Sequence, residues 1–210
     1  LWMTTKLPEI IPIFPLENIL FLPNVNLPLY IFEERYLNMT NDALKTNKII
    51  GMIQIANSNN RIYKELFPIG CAGKIVFYER TTDNKILLIL NGLKRFKIKK
   101  ELSLKSGYRR IIPDWETFKN DNNKLLEKND KERLLQNIKH NVKTINTKFF
   151  EKQLNQISIN EIVQIIAREF SFSNIENQSI IESKDTTSMV SLLIKLLQKS
   201  LFSEENKSIH

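Results

Sequence analysis

The first thirty residues interleave large apolar side chains with prolines: Ile11-Pro12-Ile13-Phe14-Pro15-Leu16, then Leu22-Pro23 and Leu27-Pro28-Leu29, running into Ile31-Phe32-Glu33-Glu34-Arg35-Tyr36. Five of the seven prolines, Pro8 included, precede residue 30. Proline fixes φ, removes a donor and pushes the preceding residue toward the β region. The segment is therefore predicted as short extended pieces broken by turns, with its apolar side chains buried. From Glu33 to Asn47, Tyr36, Met39 or Thr40, and Ala43-Leu44 recur at helical spacing. Ile49 to Ala56 reads as a buried strand, and Asn57-Ser58-Asn59-Asn60 as the exposed turn after it. Ile69 to Arg80 and Lys85 to Asn91 flank Thr81-Thr82-Asp83-Asn84, a hairpin by its turn residues. Tyr108 to Phe118 closes this β-rich part, with Pro113 marking an edge or a bulge.

The period then changes from two to three and four. Lys119 to Arg133 is almost wholly polar, with Asp121-Asn122-Asn123 as the predicted hinge into a long helix striped by Leu134-Leu135, Ile138, Val142, Ile145 and Phe149. Ser158-Ile159-Asn160-Glu161 is a capping box that opens a helix with Ile162, Ile165, Ile166 and Phe170 inward. A last helix starts near Asp185 and carries Met189, Leu192-Leu193 and Leu196-Leu197. Such stripes read as the core of a helical bundle rather than as partner surfaces. The expectation is an α+β protein with a β-rich lobe over residues 1–118 and a helical lobe over 119–210.

At 210 residues the chain can bury one core of ordinary size, or one core with two lobes. No apolar run reaches the length of a membrane span, and Pro8, Glu9, Pro12, Pro15 and Glu17 interrupt the apolar start as a signal-peptide core. With a single cysteine, Cys71, read as a small core residue, the expectation is a cytoplasmic protein with no membrane partner. The formal net charge is +8, and its excess sits in the first lobe: 17 Lys/Arg against 11 Asp/Glu through Phe118, and 14 against 12 after it. Lys94 to Arg110 holds eight cations against Glu101 alone. In Arg95-Phe96-Lys97-Ile98-Lys99 the alternation sets Phe96 and Ile98 on one face and Arg95, Lys97 and Lys99 on the other. Such a face attracts phosphates. Equally, lysines keep an edge strand solvated and unpaired, and the abundance of Ile, Asn and Lys suggests a coding bias that raises pI without a binding role.

The order Pro-Ile-Phe-Pro-Leu, Leu-Pro, Leu-Pro-Leu, Ile-Phe-Glu-Glu-Arg-Tyr, then Gly51-Met52, resembles the start of the N-terminal substrate-recognition domain of Lon-type ATP-dependent proteases. Ile69-Gly70-Cys71-Ala72-Gly73-Lys74-Ile75 and Leu90-Asn91-Gly92-Leu93-Lys94-Arg95-Phe96 continue the pattern. Ser173 to Glu182 resembles the family's motif in which a Lys-Gln pair precedes Leu-Leu-Glu, with Asn177 in place of the lysine, and Met189-Val190 stands where the family has Arg-Leu. The resemblance implies a PUA-like β pseudo-barrel with one helix, followed by an α-helical bundle.

The chemistry expected follows from what the residues lack. The five glycines are Gly51, Gly70, Gly73, Gly92 and Gly107, and no Gly-x-x-x-x-Gly-Lys-Ser/Thr loop exists to cradle phosphates. The two histidines, His140 and His210, give neither a triad nor a metal cluster an obvious centre. The expectation is a non-enzyme without cofactor or metal. The resemblance implies recognition of unfolded or degradation-bound polypeptide, with Phe32, Arg35 and Tyr36 as the candidate peptide-binding residues. The alternatives are RNA binding through Arg95, Lys97 and Lys99, or an adaptor role toward a protease or chaperone. Arg35 sits at the start of a helix, where the dipole disfavours a cation. It is expected to be at least half buried and ion-paired, with Glu33 or with backbone carbonyls.

Overall fold

The computed structural model describes residues 7–57, 64–119, 124–141 and 157–207. Six strands, β1 (Ile11–Leu16), β2 (Asn26–Ile31), β3 (Ile49–Asn57), β4 (Glu65–Arg80), β5 (Ile86–Lys105) and β6 (Tyr108–Asp114), form one sheet in the order β2-β5-β4-β3-β1-β6. An additional β5–β6 pairing closes five of them into a ring, and β2 rides outside on the first half of β5. Only β1 and β3 run parallel; the other pairings are antiparallel. The helix α1 (Glu34–Leu44) joins β2 to β3. Pro28 fits on β2 because that strand has a neighbour on one side only. Pro113 opposes Ile98 beside a register shift, as its sequence position predicts.

The ring is filled by Ile11, Ile13, Ile49, Ile53, Ala72, Phe96 and Ile111, with Trp115 edge-on to the Phe96 ring at 6.1 Å. Phe96 fits because two facing positions lack side chains. A Cβ on Gly70 would lie 2.8 Å from Phe96 Cζ, and one on Gly51 would lie 3.0 Å from Phe96 Cε1. Both are below ordinary contact, so the glycines serve close packing inside the strands.

Among the described residues four helices follow: α2 (Lys124–Asn141), α3 (Ile159–Glu169), α4 (Asn174–Ile181) and α5 (Thr186–Lys207). Ser158 caps α3 in the predicted capping box, accepting from Glu161 N–H while Glu161 accepts from Ser158 N–H. Ser173 and Glu176 form the same device at α4. α2 lies along α5, where Thr187 Oγ1 donates to Asp130 Oδ2 at 2.6 Å. Leu134 and Ile138 of α2 are buried and Leu135 partly so, as expected, while Val142, Ile145, Phe149, the Asp121–Asn123 hinge and the turn residues Ser58 to Asn60 lie outside the described residues.

The largest buried cluster runs from Phe14, Leu22 and Tyr36 through Leu88 and Leu90 to Ile162, Ile180, Leu193 and Leu197, drawing on both sides of residue 118. Uncharged amides stitch the two sides together. Gln54 Nε2 donates to Gln178 Oε1 at 2.9 Å, Gln178 Nε2 to Ile69 O, Asn174 Nδ2 to Ile55 O, Asn160 Nδ2 to Pro23 O and Gln164 Nε2 to Leu20 O.

Candidate functional site

An open groove of about 520 Å³ lies where β1, the β2–α1 junction and the β5–β6 turn meet. Its floor is apolar because inward residues of β1 and α1 meet there. The Tyr36 ring lies 4.2 Å from that of Phe14, and both are buried. Burial also pushes the Tyr36 hydroxyl above its ordinary pKa. At the rim, Phe32 is 59% and Leu104 60% exposed, and the Phe32 ring lies 6.1 Å from that of Tyr30. Phe32 sits between β2 and α1, outside either element's buried face, so neither period hides it.

The turn between β5 and β6 approaches α1 closely: Gly107 holds φ +84°, and a Cβ there would lie 3.1 Å from Arg35 Cβ. A latch fixes this approach. Tyr108 Oη donates to Asp42 Oδ2 at 2.7 Å, and Lys105 Nζ lies 3.0 Å from the same oxygen. Together these hold the Asp42 carboxyl below its ordinary value, the tyrosine bond contributing most, while desolvation and the carboxylate push the Tyr108 hydroxyl up to about 12.

The rim charges come in pairs. Arg35 Nη2 lies 2.5 Å from Glu33 Oε2, Lys64 Nζ 3.4 Å from Glu17 Oε1 and Arg109 Nε 2.6 Å from Glu101 Oε1. Arg35 is thus ion-paired with Glu33 as expected. Its expected burial is corrected: the side chain is 53% exposed, with its guanidinium carbon 4.8 Å from the Tyr36 ring centroid. The pair forms along the surface because Glu33 precedes the helix and Arg35 lies in its first turn. The structure therefore gathers Phe32, Arg35 and Tyr36 at one groove, with Phe32 and Arg35 at its surface and Tyr36 in its floor.

The cationic face of β5 needs a correction as well. Arg95 is 1% exposed. Its Nη1 donates to the carbonyls of Ile181 at 2.7 Å and Ser183 at 2.6 Å, and its guanidinium carbon stands 3.9 Å from the Phe118 ring centroid. Arg95 shares a face with Lys97, while a register shift between Ile98 and Lys100 interrupts the alternation at Lys99; the end of α4 covers Arg95 and leaves the two lysines exposed. Alternation identifies a face and not what lies on it. Arg95 is therefore not available to a nucleic acid. Asp114 opposes Lys97 across the β5–β6 ladder, which dilutes the positive potential that remains.

Elsewhere the outer face of β2, β5 and β4 presents Tyr30, Leu87 and Phe77, each 43–49% exposed. The run Ile86 to Leu90 is uniformly apolar, the pattern of a strand buried on both faces, so this exposure was hidden from sequence reasoning. Cys71 is buried. Among the described residues no group of three or more His, Cys, Asp and Glu is placed to hold a metal ion, and no helix is long and apolar enough to cross a membrane.

Comparison with known proteins accounts for this arrangement. The family model of the ATP-dependent protease La (LON) substrate-binding domain matches residues 10–199. The Lon protease of Dictyoglomus thermophilum is 27% identical over 203 residues, which cover 94% of this chain and 25% of that protein. The Lon protease of Cytophaga hutchinsonii is 25% identical over 215 residues, covering 98% and 26%. The chain thus spans about a quarter of the length of these curated relatives. In fold it resembles the Lon N-terminal domain protein of Xanthomonas campestris, with TM-score 0.62, 20% identity and coverage of 89% of this chain and 97% of that one. It also resembles the N-terminal domain of the Mycobacterium avium complex Lon protease, with TM-score 0.64, 14% identity and coverage of 90% and 98%. A pseudo-barrel followed by helices, joined by one core and matched along nearly its whole length, makes this chain a member of the Lon substrate-binding domain family.

Proposed function

We propose that the chain recognises unfolded or degradation-bound polypeptide and catalyses no reaction itself. The observation that carries this reading is the groove at Phe32, Arg35 and Tyr36, with an apolar floor, two large apolar side chains exposed at its rim and its charges paired off within the protein. A rim whose cations already have carboxylate partners offers little net field to steer an anion, and apolar burial is what remains to drive binding. Family membership supports the same reading, because the matched family is the substrate-binding domain of a protease.

The test is fluorescence anisotropy with a labelled, uncharged peptide rich in leucine and phenylalanine. Affinity should change less than about twofold between about 0.1 and about 1 M salt, a range over which the screening length falls from about 10 to about 3 Å. Phe32→Ser with Leu104→Ser should weaken it at least about tenfold, since each loses about 1–2 kcal/mol of apolar burial. Binding of a single-stranded RNA oligomer at physiological salt, abolished by Lys97→Glu with Lys99→Glu, would overturn the proposal in favour of a nucleic-acid reader.

A further inference from the structure

The β3–β4 ladder ends at Ile49 opposite Lys74, with Ile75 N–H donating to Lys48 O at 2.8 Å. β4 runs on through Val76–Arg80 with β5 on one side and, among the described residues, no strand on the other. Thr81 N–H donates to Lys85 O at 2.9 Å. By the alternation of an antiparallel ladder, the N–H and C=O of Tyr78 and Arg80 then point away from β5, toward the open side. Edge strands are ordinarily blunted by lysine, proline, a bulge or a covering element. Here Val76, Phe77 and Tyr78 are 58%, 49% and 48% exposed, and the bulge precedes Phe77. Charge enters only at Glu79 and at Arg80, whose guanidinium is bound by Asn41 Oδ1. Beside this edge an apolar hollow of about 360 Å³ is lined by Pro28, Tyr30, Phe77, Leu87 and Ile89, and Tyr30 also lines the groove.

We propose that the free edge of β4 at Val76–Arg80 takes up an extended segment of client polypeptide as an added strand, with the client's apolar side chains resting on Phe77 on one face and on Tyr78 on the other. The inference rests on the polypeptide-recognition reading and gives it a backbone-directed component. Among the described residues these N–H and C=O groups have no strand partner, and another extended backbone complements donors and acceptors alike, whereas a phosphate only accepts and an apolar molecule does neither. A second copy of the chain is the poorer occupant. Five residues at about 3.4 Å each, across a strip about 10 Å wide, present on the order of 170 Å². Stable association buries about 800 Å² per partner. An edge of this size suits transient capture of a chain in motion.

The decisive experiment uses the full chain and two fluorescein-labelled ten-residue peptides alternating leucine with serine. One has an ordinary backbone, and the other is N-methylated at every residue, which keeps its side chains and removes its donors on both edges. The ordinary peptide should bind at least about tenfold more tightly and should protect the Tyr78 and Arg80 amides from hydrogen exchange. Val76→Lys with Tyr78→Lys should erase that difference, and the peptide pair decides the matter even if the double variant folds poorly. Equal affinities would overturn strand addition while leaving the groove reading intact, whereas no binding of either peptide would remove both. Dimerisation in sedimentation that the double variant abolishes would give the edge to a second copy and overturn the assignment to a client.

Discussion

The two halves of β5 face outward with opposite chemistry. From Ile86 to Leu90 the outer residues are Leu87 and Ile89, flanked by Tyr30 and Phe77. From Lys97 to Lys105 the exposed residues are mostly lysines, with Asp114 opposite Lys97 and Glu101 paired with Arg109. The first half keeps its inward residues Ile86, Leu88 and Leu90 buried, whereas in the second Ile98 is only partly buried against the ring core. A strand's inward face answers to packing alone, while its outward face is free to differ along one continuous element. The lysine half has the composition of a solvated edge. The apolar half lacks that protection and retains exposure that a monomer ordinarily avoids.

The strongest way to break this comparison is at the point between the halves, Arg95. Arg95→Ala would leave the Ile181 and Ser183 carbonyls without the guanidinium they accept from. Orphaned buried acceptors cost about 1–3 kcal/mol each, so a total of about 2–5 kcal/mol is expected. For a chain of this size, that is a fall in Tm of roughly 4–20 °C by calorimetry. A shift below about 2 °C would mean that α4 holds its place without the clamp.

A smaller effect is expected at the far end of β5, where Tyr108 and Lys105 meet Asp42. Tyr108→Phe should cost about 1 kcal/mol at neutral pH, because the carboxylate is part exposed and its bond is screened. The Asp42 pKa is lowered from its ordinary 3.8 in the folded state. Its contribution is therefore complete above the unfolded value and is lost as pH falls through the lowered one. The gap in Tm between wild type and Tyr108→Phe should narrow below about pH 4; a gap that stays constant down to about pH 2 would show that the latch does not depend on carboxylate charge.

The smallest change should come from Lys97→Glu with Lys99→Glu, both on the open part of the cationic face. Stability should move by about 0.5 kcal/mol or less, and affinity for an uncharged apolar peptide should be unaltered. Loss of peptide binding in that variant would erase the distinction between the two halves.

Much of the architecture was legible from period and punctuation. The prolines announce β1 and β2, Thr81 to Asn84 marks the β4–β5 hairpin, and Ser158 with Glu161 opens α3. Ser173 and Glu176 carry the same signal at α4, which a scan for Ser-x-x-Glu would have found. The site was legible in part: Phe32, Arg35 and Tyr36 do meet at one groove. Their individual exposures were not, because a residue's cover is set by elements distant in sequence. Phe32 lies beyond β2's buried face, and Arg95 is covered by a helix end 86 residues away. The amides Gln54 and Gln178 gave no local sign of their joining role, since nothing in a strand or helix period distinguishes a buried glutamine from a solvated one.

Ring closure also has a consequence for biosynthesis. β6 is the last of the described strands to leave the ribosome, yet it seals the ring through β1, with Ile11 opposite Ile111, and through β5. A nascent chain that ends before Gly107 has β1 paired with β3 alone, and the Ile11 and Ile13 side of the sheet awaits its partner. Tyr36 and Phe14 then lack the Gly107–Tyr108 turn that walls their groove. Such late, long-range closure is slow and leaves apolar surface exposed meanwhile. During its own synthesis the chain passes through the condition that its mature groove is proposed to recognise in others.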